Sequence, residues 1–117
     1  MRGESTESAD ALLADDFTGH LTDGLPLQLG GDYASRDDMI NRGWGRVGRT
    51  FDMHPEVDRI YAVNDTLLVG RGYYVGIALP AGKPVRAAFA HFWTIQDGRF
   101  ASVYQVTDSA AWERALS

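Results

Sequence analysis

Hydrophobic and polar positions divide this 117-residue chain into a mixed N-terminal half and a C-terminal half of alternating runs. Four consecutive segments are rich in β-branched, aromatic and other apolar residues, which is typical of β-strands. These segments cover residues 57–63, 66–79, 85–95 and 99–107. Turn residues separate them, and Asp97-Gly98 is a pair that strongly favours a two-residue hairpin loop. The C-terminal half is therefore predicted to form a four-stranded antiparallel meander.

The beginning of the chain is predicted to fold as a helix followed by an extended segment. Residues 6–16 form the predicted helix, and residues 17–21 continue in an extended conformation. One helical stripe carries the apolar residues of the first segment, which are Ala9, Leu12 and Leu13. Residues 22–24 (Thr-Asp-Gly) have the composition of a turn. Residues 25–29 contain Pro26, which permits at most an edge strand or a loop.

Two further helices follow from capping signals. Ser35 and Asp38 have the spacing of a capping box, so that a helix is predicted from this point to about Arg49. A short final helix is predicted over residues 110–116. Helices segregated from a meander of strands define an α+β fold, and we expect one domain over residues 1–117. A curved meander packed against helices leaves a concavity of the kind that holds small molecules.

Composition narrows the possible partners. The chain has sixteen acidic and eleven basic residues, a net charge of −5, and no cysteine. Because a nucleic-acid binder needs a basic surface that displaces counterions from phosphates, we expect no nucleic-acid partner. No apolar run is long enough to span a bilayer, and residues 1–10 are polar. We therefore expect no membrane partner and a cytoplasmic location.

Three segments resemble elements of the SnoaL-like, nuclear transport factor 2-like superfamily. Residues 13–17 (LADDF) resemble its "LADD-apolar" element, and residues 33–37 (YASRD) resemble its "Y-x-G-R-D" helix start, with serine in place of glycine. Residues 91–100 (HFWTIQDGRF), with Gln105 and residues 107–112 (TDSAAW), resemble its final hairpin. The resemblance covers nearly the whole chain. It implies a cone-shaped, curved antiparallel sheet packed against N-terminal helices, with a pocket inside.

The resemblance also implies two kinds of function. The superfamily includes polyketide cyclases, ketosteroid isomerase and limonene epoxide hydrolase, but also non-catalytic dimeric modules. Our preferred interpretation is an enzyme without a cofactor that carries out proton-transfer chemistry on a carbonyl-bearing hydrophobic substrate. The alternative is a non-catalytic ligand-binding or dimerisation module. Relatives usually have a long helix before the one predicted at residues 6–16, so either the chain is a short variant or its start lies upstream.

His91 is the main candidate for chemistry. Strand alternation places it in an apolar row, which is an unusual position for a histidine, and the resemblance places it in the pocket. A neutral imidazole can act as a general acid or base near neutral pH. In so apolar a row, desolvation should lower the pKa of His91 and keep the ring neutral at pH 7. The competing interpretation is a core histidine bonded to a neighbouring strand.

The resemblance adds a second catalytic candidate and several substrate-binding residues. It places Gln105, which can donate a hydrogen bond to a ligand carbonyl, on the pocket side of the last strand. Alternation alone leaves the face of Gln105 open. The proposed substrate-binding residues are Trp93, Phe89, Tyr74, Val103, Thr107 and His20. Tyr74 lies in a row of glycines that either leaves room for a ligand or allows the sheet to bend. The direction of the His20 side chain depends on an uncertain strand register.

The resemblance further implies a homodimer. Its interface would be the outer face of the sheet, with Arg71 and Tyr73 at or near it. The three histidines, His20, His54 and His91, have no metal-binding spacing, so that no metal is expected.

Overall fold

A six-stranded open sheet organises the part of the chain that the computed structural model describes, residues 12–117. The strands are β1 (Leu13–Leu21), β2 (Gly31–Tyr33), β3 (Phe51–Asn64), β4 (Leu67–Ala78), β5 (Lys83–Gln96) and β6 (Arg99–Thr107). Helix α1 spans residues 36–50 in three consecutive segments, Arg36–Asp38, Met39–Trp44 and Gly45–Thr50. Helix α2 is Ser109–Leu116. The α+β architecture predicted from the sequence is confirmed.

The strand order in the sheet is β2-β1-β6-β5-β4-β3. Strands β3 to β6 form the predicted antiparallel meander, and β6 has the predicted bounds. Strand β3 begins at Phe51 rather than Val57, directly after α1. Strand β1 joins the other edge of the meander by pairing in parallel with β6. Within residues 12–117, no helix is long and apolar enough to cross a membrane.

The prediction of a helix through Asp16 is wrong for residues 13–16, which belong to β1. Leu13, Phe17 and Leu21 are buried, and their spacing of four places side chains on one face of a helix and equally on one face of a strand. Pairing with β6 decides between the two conformations. The rest of the predicted helix, residues 6–11, lies outside the described residues.

The segment around Pro26 is a single turn of 3₁₀ helix, Pro26–Gln28, so that the predicted edge strand is wrong and the loop alternative holds. Strand β2, which follows it, was not predicted. It has only three residues, too few for a period of two to stand out.

The capping box that starts α1 is present. Ser35 Oγ accepts a hydrogen bond from the backbone N–H of Asp38 at 3.0 Å, and the helix continues to Thr50. Gly43 allows the helix to approach β2, because a Cβ atom there would lie 3.0 Å from both the Tyr33 ring and the Met39 sulfur. Close packing of α1 thus explains one of the glycines that weaken its sequence as a helix.

Both helices pack on one side of the sheet, which we call the inner face and define by Phe89, His91 and Trp93 of β5. Trp112 of α2 is fully buried there and packs edge-on against Tyr74 at 5.2 Å between ring centroids. Trp44 of α1 contacts Trp93 at 6.3 Å. The helices therefore leave the inner face lined by aromatic rings.

Glycines on the inner face of β4 serve two different purposes. A Cβ atom on Gly72 would collide with the backbone carbonyl oxygen of Glu56 on β3, and Gly76 meets the backbone of β3 in the same way. These two glycines let β3 approach closely. Gly70 has no atom within 4 Å of a built Cβ, so that open space lies above it. Of the two explanations that the sequence left open, free space beside the strand applies to Gly70, whereas Gly72 and Gly76 accommodate the backbone of β3.

We predict that Gly72→Ala and Gly70→Ala differ sharply in stability. Gly72→Ala should lower the free energy of unfolding by about 2 kcal/mol or more, because backbone atoms of β3 must move. Gly70→Ala adds its methyl group to open space and should change stability by less than about 1 kcal/mol. Urea denaturation of both variants measures the difference. Equal losses would contradict the assignment of close approach to Gly72 and of open space to Gly70.

Candidate active site

His91 occupies the centre of the inner face. Its partner on β4 is Gly70, the residue with open space above it, and its partner on β6 is Gln105. The side chain of His91 is partly buried, and its ring stacks on Phe89 at 4.4 Å between centroids. The structure therefore places a histidine beside an unfilled position in an aromatic surface.

Tyr74 forms a hydrogen bond with this histidine. The distance from Tyr74 Oη to His91 Nε2 is 2.5 Å, although the backbone of Tyr74 pairs with Ala87 rather than with His91. Gly72 lies between Tyr74 and Gly70 on the same face of β4 and has no side chain, so that the phenol ring can reach along the strand. The buried Tyr74 is thus held against the imidazole.

Gln105 completes the polar group. Its Nε2 donates to Tyr74 Oη at 2.9 Å, and its Oε1 accepts from the backbone N–H of Thr22 at 3.2 Å. The side chain of Gln105 is only 5% exposed, which answers the question that alternation left open: it points to the inner face. A buried amide with partners on both its nitrogen and its oxygen is held in one orientation.

Thr107 has a supporting position at the end of β6. Its hydroxyl donates to the carbonyl oxygen of Ala88 at 2.7 Å and accepts from Trp112 Nε1 at 3.1 Å. Its backbone N–H donates to Thr22 Oγ1 at 2.9 Å. The Thr107 hydroxyl therefore joins α2 to β5, and its role in substrate binding stays a prediction.

Burial determines the protonation of the site. Desolvation lowers the pKa of His91 to about 4. Burial also raises the pKa of Tyr74 above its ordinary range, and the hydrogen bond from Gln105 opposes this rise only partly. Within residues 12–117, His91 forms no ion pair with a carboxylate. At neutral pH the site therefore contains a neutral imidazole and a protonated phenol.

Aromatic side chains form the walls beside His91. Trp93 lies edge-on to the imidazole at 5.8 Å and packs against Phe100 at 4.6 Å, while Trp44 of α1 contacts both Trp93 and Phe17. Val103 is buried on the same face. At the open end, Ile60 of β3 pairs with Gly70 and is 65% exposed. A ligand that reaches His91 over Gly70 would meet apolar surface almost everywhere else.

His20 is not brought together with these residues. It lies on the opposite, outer face of the sheet, where its Nδ1 is 2.8 Å from Asp32 Oδ1 and its ring stacks on Tyr104 at 4.6 Å. A groove of about 410 Å³ runs beside it. The alternation of side chains along β1 explains why the His20 side chain points outward, because Gly19 and Leu21 on either side of it face inward.

Thr22 and Trp44 were not predicted as parts of the site. Thr22 was assigned to a turn, and no local pattern shows a hydrogen bond to a residue 83 positions away. Trp44 lies on the apolar side of α1, so its burial could be expected from helical periodicity, but its contact with Trp93 could not.

The chain belongs to the SnoaL-like family. The model of the SnoaL-like domain matches residues 2–103. The resemblance inferred from sequence motifs is thereby confirmed, and the solved structures similar to this chain include several NTF2-like proteins. No protein with a curated description matches the sequence.

Solved structures with the same fold have low sequence identity to this chain. An NTF2-like protein of unknown function from Burkholderia pseudomallei is 23% identical, with a TM-score of 0.86 over 97% of this chain and 86% of that one. TerC, crystallised with polyporic acid, is 18% identical, with a TM-score of 0.84 and coverages of 98% and 88%. IdmH, a candidate polyketide cyclase from Streptomyces antibioticus, is 22% identical, with a TM-score of 0.72 and coverages of 97% and 91%.

We predict that His91 makes folding stability depend on pH in a defined window. The unfolded chain binds a proton at His91 near the reference pKa of ~6.5, whereas the folded chain does so only near pH 4. Between these values the unfolded state holds more protons, so that stability falls as pH falls. This loss of stability is absent above pH ~6.5 and reaches about 3 kcal/mol once pH is below about 4.

Urea denaturation from pH 7.5 to pH 4.5 tests this contribution. His91→Leu should show a shallower loss of stability than the wild type. His54→Gln is the matched control, because His54 is exposed, and it should follow the wild type. Parallel curves for the wild type and His91→Leu would show that His91 is not desolvated.

Proposed function

We propose that this protein is a small-molecule enzyme of the cyclase or isomerase type that acts next to a carbonyl group of a hydrophobic substrate. The observation that supports this most directly is the neutral His91, bonded to Tyr74 and placed beside the open space over Gly70. Titratable residues with strongly shifted pKa values inside an apolar concavity are typical of functional sites.

The walls of the site favour a flat, unsaturated ligand. Aromatic rings line the approach to His91, and they would stack on or pack edge-on against a ring system. The neighbouring folds agree with this choice, because TerC was crystallised with polyporic acid and IdmH is a candidate polyketide cyclase. We therefore propose polycyclic or polyketone compounds as the ligand class.

The chemistry would consist of proton transfer at carbon. A carbonyl oxygen in contact with His91 would take up negative charge as a proton leaves the adjacent carbon, and polar groups at that oxygen stabilise the charge. Gln105 and Tyr74 would orient the imidazole. Such enolisation underlies both isomerisation and ring closure, and it requires no cofactor, because the carbonyl itself accepts the electron pair.

The alternative is a binding module that uses the same concavity without turnover. His91 has no carboxylate partner within residues 12–117, which is compatible with simple binding. The two functions differ in one measurable respect: an enzyme accelerates enolisation, whereas a binder only retains the ketone.

We predict that polycyclic ketones such as 9-fluorenone bind on the inner face and raise the melting temperature of the wild-type protein. Gly70→Leu should abolish this shift, because its side chain fills the space over Gly70. His20→Gln is the matched control on the outer face and should keep it. If Gly70→Leu retained the shift in melting temperature and His20→Gln lost it, the ligand would have to bind in the outer groove instead.

Turnover can be tested without knowledge of the natural substrate. 2-Tetralone in D₂O exchanges the protons next to its carbonyl, and NMR follows this exchange. The proposed enzyme should accelerate the exchange, and His91→Leu should lose the acceleration. Binding without acceleration in the wild type would support the non-catalytic alternative.

We also propose a homodimer formed through the outer face. Phe92, Tyr104 and Val106 are exposed there by 38%, 51% and 47%, and they are contiguous, since Phe92 pairs with Tyr104 across β5 and β6. Arg71 lies beside them, because its strand partner Ala90 also pairs with Val106. Association would remove this apolar patch from water.

Light scattering at micromolar concentration should give twice the chain mass of 12.9 kDa. Val106→Asp should give the monomer mass. Leu27→Asp, an equally exposed apolar position outside the sheet, should leave the dimer intact. A wild-type protein with the mass of one chain would contradict the dimer.

A further inference from the structure

The hydrogen bonds on the inner face form a chain with only one possible direction. It begins at the backbone N–H of Thr22, which can only donate, so that the atom of Gln105 facing it must be the amide oxygen. The amide nitrogen of Gln105 therefore faces Tyr74. This nitrogen also can only donate, and Tyr74 Oη must accept from it at 2.9 Å.

The direction continues through Tyr74 to His91. A phenol has one proton, and within residues 12–117 Tyr74 Oη has only two partners, Gln105 Nε2, which can only donate, and His91 Nε2. His91 Nε2 is therefore the one acceptor for the proton of Tyr74. The ring nitrogen Nε2 must then be unprotonated. A neutral imidazole has one N–H group, so that the proton of His91 is on Nδ1.

His91 Nδ1 is the free end of this series of hydrogen bonds. Within residues 12–117 it has no hydrogen-bond partner, and no side-chain nitrogen or oxygen there is both buried and without a partner. Nδ1 therefore keeps some solvent-accessible surface. The strand partner of His91 on β4 is Gly70, over which space is open.

We propose that His91 acts as a hydrogen-bond donor through Nδ1–H, so that the site selects ligands with an acceptor oxygen, a carbonyl or an enolate, and that Gln105 and Thr22 are the positioning residues that set this polarity. This inference rests on the site of the proposed function and narrows the role of His91 there. Nε2, the only basic nitrogen of a neutral imidazole, is occupied by Tyr74, so that His91 does not take the proton from carbon.

The donor role suits a reaction that builds up negative charge. A neutral N–H bond to a carbonyl oxygen becomes stronger as that oxygen turns into an enolate, which favours the transition state over the bound ketone. Complete transfer of the Nδ1 proton is disfavoured, because Tyr74 would have to become a buried phenolate in exchange, and burial raises the pKa of Tyr74. The proton from carbon goes to a solvent base, and no bond to His91 is broken.

Long-range ¹H–¹⁵N NMR of the labelled full-length protein at pH 7.5 tests the polarity without any ligand. The His91 signals should show the Nδ1–H tautomer. A neutral His91 that is protonated at Nε2 would overturn the proposal and leave the proposed function standing, whereas a charged His91 would overturn both. His91→Leu identifies which signals belong to this residue.

Gln105→Met tests the positioning role. With the amide gone, Tyr74 Oη is free to accept, and a population with His91 protonated at Nε2 should appear. Gln96→Met, an exposed glutamine on β5, is the matched control and should leave the tautomer unchanged. A His91 tautomer that is identical in wild type and Gln105→Met would remove Gln105 from the role of positioning residue.

A matched pair of ligands tests the selectivity. 9-Fluorenone and fluorene have nearly the same shape, but only the ketone has an acceptor oxygen. The wild type should bind the ketone about two- to tenfold more tightly, as expected for one neutral hydrogen bond. His91→Leu should bind both equally, and Gln105→Met should show a reduced preference with unchanged affinity for fluorene. Equal binding by the wild type, or a preference that survives in His91→Leu, would overturn the donor assignment.

Discussion

The hydrogen bond from the backbone N–H of Thr22 to the side chain of Gln105 is the constraint on which the inner face depends. It joins the end of β1 to β6, a parallel contact between segments far apart in sequence. Because a backbone N–H cannot accept, it also fixes which end of the Gln105 amide faces Tyr74. The protonation pattern of His91 follows from this orientation of the amide. A buried amide without such an anchor would cost about 1–3 kcal/mol for each unpaired group.

The residues that bury apolar surface on the inner face also set the chemistry of its polar groups. Phe89 and Trp93 enclose the imidazole and desolvate it, which keeps His91 neutral. Desolvation also makes protonation of this group costly to the fold at low pH. The glycines of β4 have different roles. Gly72 lets β3 pack closely, and Gly70 leaves the space next to His91 unfilled.

Much of this arrangement could be predicted from the sequence, because it depends on local signals. β-forming residues between turn residues located β3 to β6, Ser35 marked the start of α1, and a histidine in an apolar row indicated His91. Strand β1 was mistaken for a helix at its beginning, since apolar residues four apart fit both conformations.

The remaining features depend on contacts between distant segments. Nothing near Thr22 in the sequence indicates that its N–H meets Gln105, and the alternation of β6 did not decide the face of Gln105. The direction of His20 depended on a register that only the pairing of β1 with β2 and β6 reveals. The polarity of the hydrogen bonds is likewise visible only when all the partners are placed.

A crystal structure of the protein with 9-fluorenone would show whether His91 presents an N–H group to a carbonyl oxygen on the inner face. We expect the ketone oxygen at a hydrogen-bonding distance of about 2.6–3.2 Å from His91 Nδ1, with the ring system over Gly70 and against Trp93. A ketone bound in the outer groove beside His20, or bound on the inner face with its oxygen turned away from His91, would contradict the account.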